Sequence, residues 1–204
     1  MSKFETTKIA LVEDKLLYKS WSELRRVTFD YTSSESRTVR LEWDVFDRGN
    51  AVAVLLFDPS RQAVVLVRQF RIPVYLSGDQ PFLLEVPAGK IEKDDDTVET
   101  LHREVLEETG YRIANPRHLF SVYMSPGAVT EKLHFYAALV DSSCKVALGG
   151  GLEEEHEDIE LVELPFADAL AMIDSGEICD AKTIMLLQWA ALNLDQLSGN
   201  ADDA

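Results

Sequence analysis

The apolar positions of the chain are spaced in two ways, and each spacing predicts a different kind of element. Short stretches in which apolar residues alternate with polar ones or run together predict β-strands. They are KIALVE, LRRVTFDYT, RTVRLEWDVF, AVAVLLFD, AVVLVRQF, PFLLEVPAGKIE, HLFSVYMSP, LHFYAALVD and IELVELP. Helical spacing appears in the acidic segment after residue 95, in FADALAMIDSGEI and in AKTIMLLQWAALNLDQL. Strands outnumber helices, which predicts an α+β chain with a mixed sheet packed against helices.

The order of these elements predicts three parts along the chain. Strand-like segments separated by SSES, typical of a hairpin turn, predict an N-terminal antiparallel β subdomain over residues 1–47. Residues 48–195 form the main domain, and residues 196–204 form a flexible tail.

The acidic helix has clear start and stop signals. Asp95 or Asp96 is the predicted N-cap, and Gly110 is the residue expected to end the helix. Its predicted buried stripe consists of Val98, Leu101 and Val105.

Three acids of this helix, Glu104, Glu107 and Glu108, fall within an arc of about 100° near its C-terminus. The helix dipole disfavours carboxylates there by about 0.3–1 kcal/mol each. Arg103 is near in sequence but is expected to point away from the arc. Either this is a solvated acidic face, or a hard divalent cation lies against these oxygens. Glu104 and Glu108, one turn apart, are the best candidate ligands.

Charge and composition exclude several classes of partner. A net charge of −16 argues against binding nucleic acid or an anionic membrane through a basic surface. No apolar run reaches the ~18 residues of a membrane span. Cys144 and Cys179 give no disulfide framework, which favours a reducing cytoplasm.

The acidic segment also resembles the Nudix box, G-x5-E-x7-R-E-U-x-E-E-x-G-U, where U is apolar. The matching positions are Gly89, Asp95, Arg103, Glu104, Val105, Glu107, Glu108, Gly110 and Tyr111. Asp95 stands where the family has Glu, and Tyr111 stands at an aliphatic position. In the family this first acid braces the box arginine, so Asp95 is expected to reach Arg103 less well.

Further stretches resemble the GDP-mannose pyrophosphatase branch of the Nudix hydrolases. They are DRGN, VVLVRQFR, YMSPGAVTEKLHFY, the GGG-acid-EDIE segment and GEICDAKT. The resemblance implies a Nudix fold, an α/β/α sandwich, in a homodimer whose N-terminal strands help form the partner's site. It implies cleavage of GDP-mannose to GMP and mannose 1-phosphate with Mg²⁺, for which Mn²⁺ could substitute. ADP-ribose pyrophosphatases are similar, so AMP and ribose 5-phosphate are the alternative products.

The same resemblance implies the site. It adds the Ala88 carbonyl and Glu157 to Glu104 and Glu108 as metal ligands, with Glu107 a direct or water-mediated ligand. These four glutamates and Arg103 form the implied catalytic set.

A base to deprotonate the attacking water is expected in GGGLEEEHEDIE, where glycines permit a mobile loop. Glu157 matches the family acid best, whereas Glu153, Glu154 and Glu155 read better as a solvated turn. His156 could act as a base by its type, but a single loop histidine is more often incidental.

The resemblance to the branch implies substrate contacts from Arg71, Glu131 and Lys182, and Trp21 and Asp44 are further candidates in the N-terminal region. Arg71 and Lys182 would bind phosphate, the latter at a helix N-terminus. Trp21 and Trp43 could stack on a base or sugar, or belong to the core. Glu42 and Trp43 stand where the branch has basic and polar residues. The sequence therefore leaves open whether the site prefers guanine or adenine. A non-catalytic nucleotide-sugar sensor is a third alternative, but it would be expected to have lost box acids.

Overall fold

The computed structural model describes residues 2–152, 154 and 156–197. Its residues group into two compact units. The first unit contains residues 1–50 and 123–132, and the second contains residues 51–122 and 133–204. Outside the described residues lie Glu153, Glu155 and residues 198–204. Residues 198–204 make up most of the predicted tail.

The first unit is built on a three-stranded antiparallel sheet in the order β1-β2-β3. Its strands are β1 Lys8–Lys19, β2 Glu23–Thr32 and β3 Thr38–Asp47. Residues 123–132 join this unit through a parallel bridge between Phe46 and Val129. The sheet confirms the predicted N-terminal antiparallel strands.

The second unit contains a seven-stranded mixed sheet. Its strands are β4 Ala51–Asp58, β5 Ala63–Phe70, β6 Phe82–Glu85, β7 Ala88–Lys90, β8 Arg117–Tyr123, β9 Lys132–Leu139 and β10 Ile159–Pro165. The main order is β10-β5-β4-β9-β8, with β6 paired to β5 and β7 paired to β4. β4 runs parallel to β9 and antiparallel to β5. β4 is buried along its whole length, as expected for an apolar strand in the middle of a sheet.

Helices cover both faces of this sheet. They are α1 Ile72–Leu76, α2 Thr97–Thr109, α3 Phe166–Ser175, α4 Ala181–Leu192 and α5 Leu194–Leu197. On one face, Val54 of β4 shares a core cluster with Leu101 and Val105 of α2. On the other face, Phe57 meets Phe166 of α3 edge to face at 5.6 Å between ring centroids. This arrangement confirms the α+β sandwich.

None of the helices within the described part of the chain is long and apolar enough to cross a membrane.

The acidic helix α2 begins and ends where its sequence signals predict. The Asp96 side chain accepts hydrogen bonds from the amides of Val98 and Glu99, which caps the N-terminus. Gly110 ends the helix with a φ of 73°, a left-handed conformation that glycine adopts without strain. One member of the predicted stripe is wrong, because Val98 in the first turn is 38% exposed.

Candidate metal and phosphate site

Glu108 is the buried centre of the acid cluster on α2. Its side chain is only 3% exposed, and its Oε2 accepts a hydrogen bond of 3.1 Å from the amide of Ala88. The pKa of Glu108 is raised to about 8, mainly by burial. The Ala88 amide and the charge of Arg71 oppose this rise, and the charges of Glu104 and Glu157 add to it. A carboxyl group so far from water needs either a proton or a cation at neutral pH.

Glu104 reaches the same region because residue 89 has no side chain. A Cβ built on Gly89 would lie 1.8 Å from the Glu104 Cδ and 2.2 Å from its Oε2. The strand β7 therefore passes so close to α2 that any residue larger than glycine would displace the Glu104 carboxylate. The box glycine is a packing requirement of the acid cluster.

Arg103 is the basic partner of the acids, contrary to the expectation that it points away from them. Its NH2 atom lies 2.9 Å from Glu104 Oε1, and its NH1 atom lies 3.3 Å from Glu107 Oε2. Burial opposes the charge of Arg103, but Glu104, Glu107 and Asp95 together raise the pKa of its guanidinium. The expectation was wrong because a long, flexible arginine side chain can reach along the helix to acids beside it and one turn away.

The glycines after residue 148 attach a second acidic segment to the end of α2. The amides of Gly150 and Gly151 donate to the carbonyls of Glu108 and Glu107, at 2.9 and 3.0 Å. These carbonyls have no partner within a helix that stops at Thr109. The glycine end of the loop, expected to be mobile, is therefore hydrogen-bonded to the helix.

This attachment brings Glu157 towards the acids of α2. A Cβ on Gly151 would lie 2.8 Å from Glu157 Oε2, and the amide of Leu152 donates to the same oxygen at 3.3 Å. The charge of Glu157 contributes to the raised pKa of Glu108, as expected of neighbouring carboxylates. Glu154 and His156 are exposed.

The donor set suits a hard divalent cation. Glu104, Glu108 and Glu157 supply carboxylates, and the Ala88 peptide, beside Glu108, supplies a carbonyl. Among residues 2–152, 154 and 156–197, no three His, Cys, Asp or Glu side chains converge as a ready-made cage. These carboxylates contact Arg103 and the amides of Ala88 and Leu152. Because Mg²⁺ keeps several waters and uses few protein ligands, the residues fit it without such a cage.

Two predicted phosphate-binding cations, Arg71 and Lys182, meet at one buried carboxylate, Glu85. Arg71 Nε and NH2 donate to the two Glu85 oxygens at 2.8 and 2.6 Å. The Lys182 ammonium forms a short contact with Glu85 and lies 3.0 Å from Asp180. Burial opposes ionisation of Glu85, but the two cations outweigh it and lower its pKa.

Glu85 was not among the predicted site residues, although the sequence contains one indication that it has a special role. Glu85 is a single carboxylate inside the apolar run FLLEVP, and a buried charge of this kind requires a partner. Its partners could not be identified from spacing, because Arg71 is 14 residues away and Lys182 is 97.

The remaining candidates, Trp21, Asp44 and Glu131, lie in the first unit. The Arg48 guanidinium lies 5.7 Å from the Trp21 ring centroid and 3.3 Å from Glu131 Oε1. These contacts bring Trp21 and Glu131 to the same arginine. Asp44 instead forms a two-point ion pair with Arg26.

Both tryptophans of this unit are exposed. Trp21 and Trp43 stay more than half exposed although each contacts a phenylalanine edge to face, which argues against a core role.

Several known proteins are similar to this chain in sequence or in fold. The NUDIX domain model matches residues 47–187. A GDP-mannose pyrophosphatase of Pectobacterium atrosepticum is 46% identical over 185 residues, covering 90% of this chain and 94% of the relative. A GDP-mannose pyrophosphatase of Escherichia coli O1:K1 is 41% identical over 189 residues, covering 92% and 97%.

A solved structure described as an ADP compounds hydrolase superposes with a TM-score of 0.73. It is 19% identical and covers 93% of this chain and 95% of its own, so it supports the fold alone. The domain match and the similar relatives together show that the chain belongs to the NUDIX family.

Proposed function

We propose that the protein hydrolyses the pyrophosphate bond of a nucleoside diphosphate sugar, converting GDP-mannose to GMP and mannose 1-phosphate. The observation that carries this proposal is the buried carboxyl group of Glu108, whose pKa is raised by burial and by the charges of Glu104 and Glu157. Its residues fit a divalent cation, and similar relatives bear the name GDP-mannose pyrophosphatase. Glu104, Glu107 and Glu108 are all retained, which favours an enzyme over a nucleotide-sugar sensor.

In this proposal the metal ligands are Glu104, Glu108, Glu157 and the Ala88 carbonyl. A bound Mg²⁺, with Mn²⁺ as a substitute, would neutralise pyrophosphate charge and make a nearby water more acidic. Glu107 holds Arg103 beside the cluster, and Arg103 keeps Glu104 oriented.

The chain's own groups account for the proton and for the substrate charge. Glu157 accepts a proton from the attacking water, whose oxygen bonds to one phosphorus. The bridging P–O bond breaks, and its electron pair leaves with the other phosphate. Arg71 and Lys182 bind the phosphate oxygens, and both side chains are partly exposed. Trp21 and Glu131 contact the base or sugar, with Asp44 a further candidate.

We further propose a homodimer. Every residue of β1 is exposed, and six of its apolar side chains are large: Ile9, Leu11, Val12, Leu16, Leu17 and Tyr18. β1 is also an edge of its sheet, and an exposed apolar edge strand is a liability unless it is covered. A second copy of the chain would cover it. The cytoplasmic location and the absence of nucleic-acid binding stay predictions.

ADP-ribose is the second candidate substrate. The likeness to an ADP compounds hydrolase is one of fold, and Glu42 and Trp43 leave the base preference open. The deciding experiment compares kcat/KM for GDP-mannose and ADP-ribose, with products identified by chromatography. We expect GMP and mannose 1-phosphate to form at the higher kcat/KM. A tenfold preference for ADP-ribose would move the protein to the alternative activity.

A further inference from the structure

Glu85 is a deeply buried carboxylate that the proposed reaction does not use. It is 1% exposed at the end of β6, and its backbone pairs with Val67 of β5. Both of its oxygens accept from Arg71, and the Oε2 atom also accepts from Lys182. One carboxylate therefore joins Arg71, which follows the end of β5, to Lys182 in the first turn of α4.

The backbone around Glu85 is fixed to the same helix end. The amide of Val86 donates to Thr183 Oγ1 at 2.8 Å, and that hydroxyl donates to Asp180 Oδ2 at 2.6 Å. Asp180 caps α4 and also lies 3.0 Å from Lys182. The distance between Glu85 and the start of α4 is thus set by hydrogen bonds that do not involve the cations.

Each cation keeps donors that Glu85 does not use. Arg71 commits its Nε–NH2 edge to Glu85, which leaves its NH1 group for another acceptor. Lys182 has three ammonium protons, of which Glu85 and Asp180 take two. Arg71 is 38% exposed and Lys182 is 11% exposed, whereas Glu85 is enclosed. A ligand can reach the cations but not the carboxylate between them.

We propose that Glu85 is a positioning residue that sets the spacing and direction of the Arg71 guanidinium and the Lys182 ammonium for two neighbouring phosphate groups. This role rests on the proposed function, in which Arg71 and Lys182 bind the pyrophosphate. Without Glu85, two like charges on long side chains repel each other and regain rotamer freedom. Misplacement of a binding group by about 1 Å costs on the order of 100-fold in rate.

The test is a double-mutant cycle on kcat/KM for GDP-mannose with Mg²⁺. Glu85→Gln is made in the wild type and in the Arg71→Ala/Lys182→Ala background. We expect a loss of about 10- to 100-fold in the wild type, mostly in kcat, and less than about threefold in the background that lacks both cations. An equal loss in both backgrounds, or no loss in the wild type, overturns the positioning role.

A matched control removes a less buried glutamate that also pairs with an arginine. Glu163 of β10 accepts from Arg61 and from the Tyr111 hydroxyl, and Glu163→Gln should leave kcat/KM within about twofold. If Glu85→Gln does not fold by circular dichroism, Glu85→Asp replaces it. Aspartate keeps the charge but withdraws it by one methylene, and the same dependence on Arg71 and Lys182 is expected.

The two proposals fail in different ways. If the wild type turns over neither GDP-mannose nor ADP-ribose with Mg²⁺, the proposed function is wrong. If the wild type is active and the cycle is additive, only the role of Glu85 is wrong.

Discussion

At the scale of single residues, the fold keeps the carboxyl group of Glu108 away from water. Its carboxyl group is buried with one backbone donor and two acidic neighbours, so the charged form is costly. Gly89 has the complementary role, because its missing side chain makes room for Glu104. Both residues have consequences that can be measured.

The first prediction concerns stability against pH without metal. Burial raises the pKa of Glu108 from 4.5 to about 8, so the folded state holds a proton that the unfolded state releases. The stabilising contribution is complete below pH 4.5 and is lost as pH rises through about 8. In EDTA, the unfolding free energy of the wild type should fall relative to Glu108→Gln between pH 5 and pH 9, by on the order of a few kcal/mol. Urea titrations at several pH values measure this difference, and a constant difference would contradict it.

The second prediction concerns Gly89→Ala. The added methyl group overlaps the Glu104 carboxylate, so kcat should drop by about 100-fold or more while the protein stays folded. Gly127→Ala is the matched control, since a Cβ there meets nothing within 4 Å. Equal activity in the two variants would show that the position of Glu104 does not matter.

At the scale of elements, the site depends on how a loop meets the end of a helix. Gly150 and Gly151 donate to the last carbonyls of α2, which places Glu157 near the acids of that helix. The Gly110 left-handed turn is part of the same join, because its carbonyl accepts from the amides of Val146 and Ala147. Two segments about 45 residues apart in the chain therefore supply one cluster.

The third prediction follows from this arrangement. Glu157→Gln keeps the shape of the side chain but removes its basicity, so kcat should fall by about 100-fold with KM changed less than about threefold. Steady-state kinetics on GDP-mannose separate the two constants. A change confined to KM would make Glu157 a binding residue.

Signals from neighbouring residues predicted the ends of α2 correctly. Contacts between residues far apart in the chain could not be predicted in this way. The Asp96 cap and the Gly110 stop of α2 follow from neighbouring residues, so both could be predicted from sequence. Helical spacing and the box resemblance both singled out Glu104 and Glu108 as candidate ligands. The Glu85 cluster could not be predicted, because its ion pairs join residues far apart in the chain. Tyr111 is a second case of a contact that could not be predicted. It stands at an aliphatic position of the box, and its hydroxyl donates to Glu163, 52 residues away.

At the scale of the whole molecule, an acidic protein has to bind an anionic substrate. The net charge of −16 repels phosphates at long range, so local cations and a metal ion have to supply the attraction. The exposed apolar strand β1 is a second feature at this scale, and the proposed dimer would cover it.

The fourth prediction concerns that surface. Ile9 and Leu11 lie on the same side of β1 and are both exposed, so Ile9→Lys/Leu11→Lys should convert the dimer to a monomer. Sedimentation velocity measures the mass. Leu192→Lys, at a leucine of α4 that is even more exposed, is the control and should leave the mass unchanged. A wild type that sediments as a monomer would contradict the dimer itself.

The metal site is tested most directly by the Mg²⁺ dependence of GDP-mannose turnover, measured side by side for the wild type and Glu108→Gln. We expect the wild type to release GMP and mannose 1-phosphate only when Mg²⁺ is present. We expect Glu108→Gln to stay folded and to lose activity by about 100-fold or more at saturating Mg²⁺. Turnover by the wild type in EDTA, or unimpaired turnover by Glu108→Gln, would contradict the assignment of the acid cluster as the metal site.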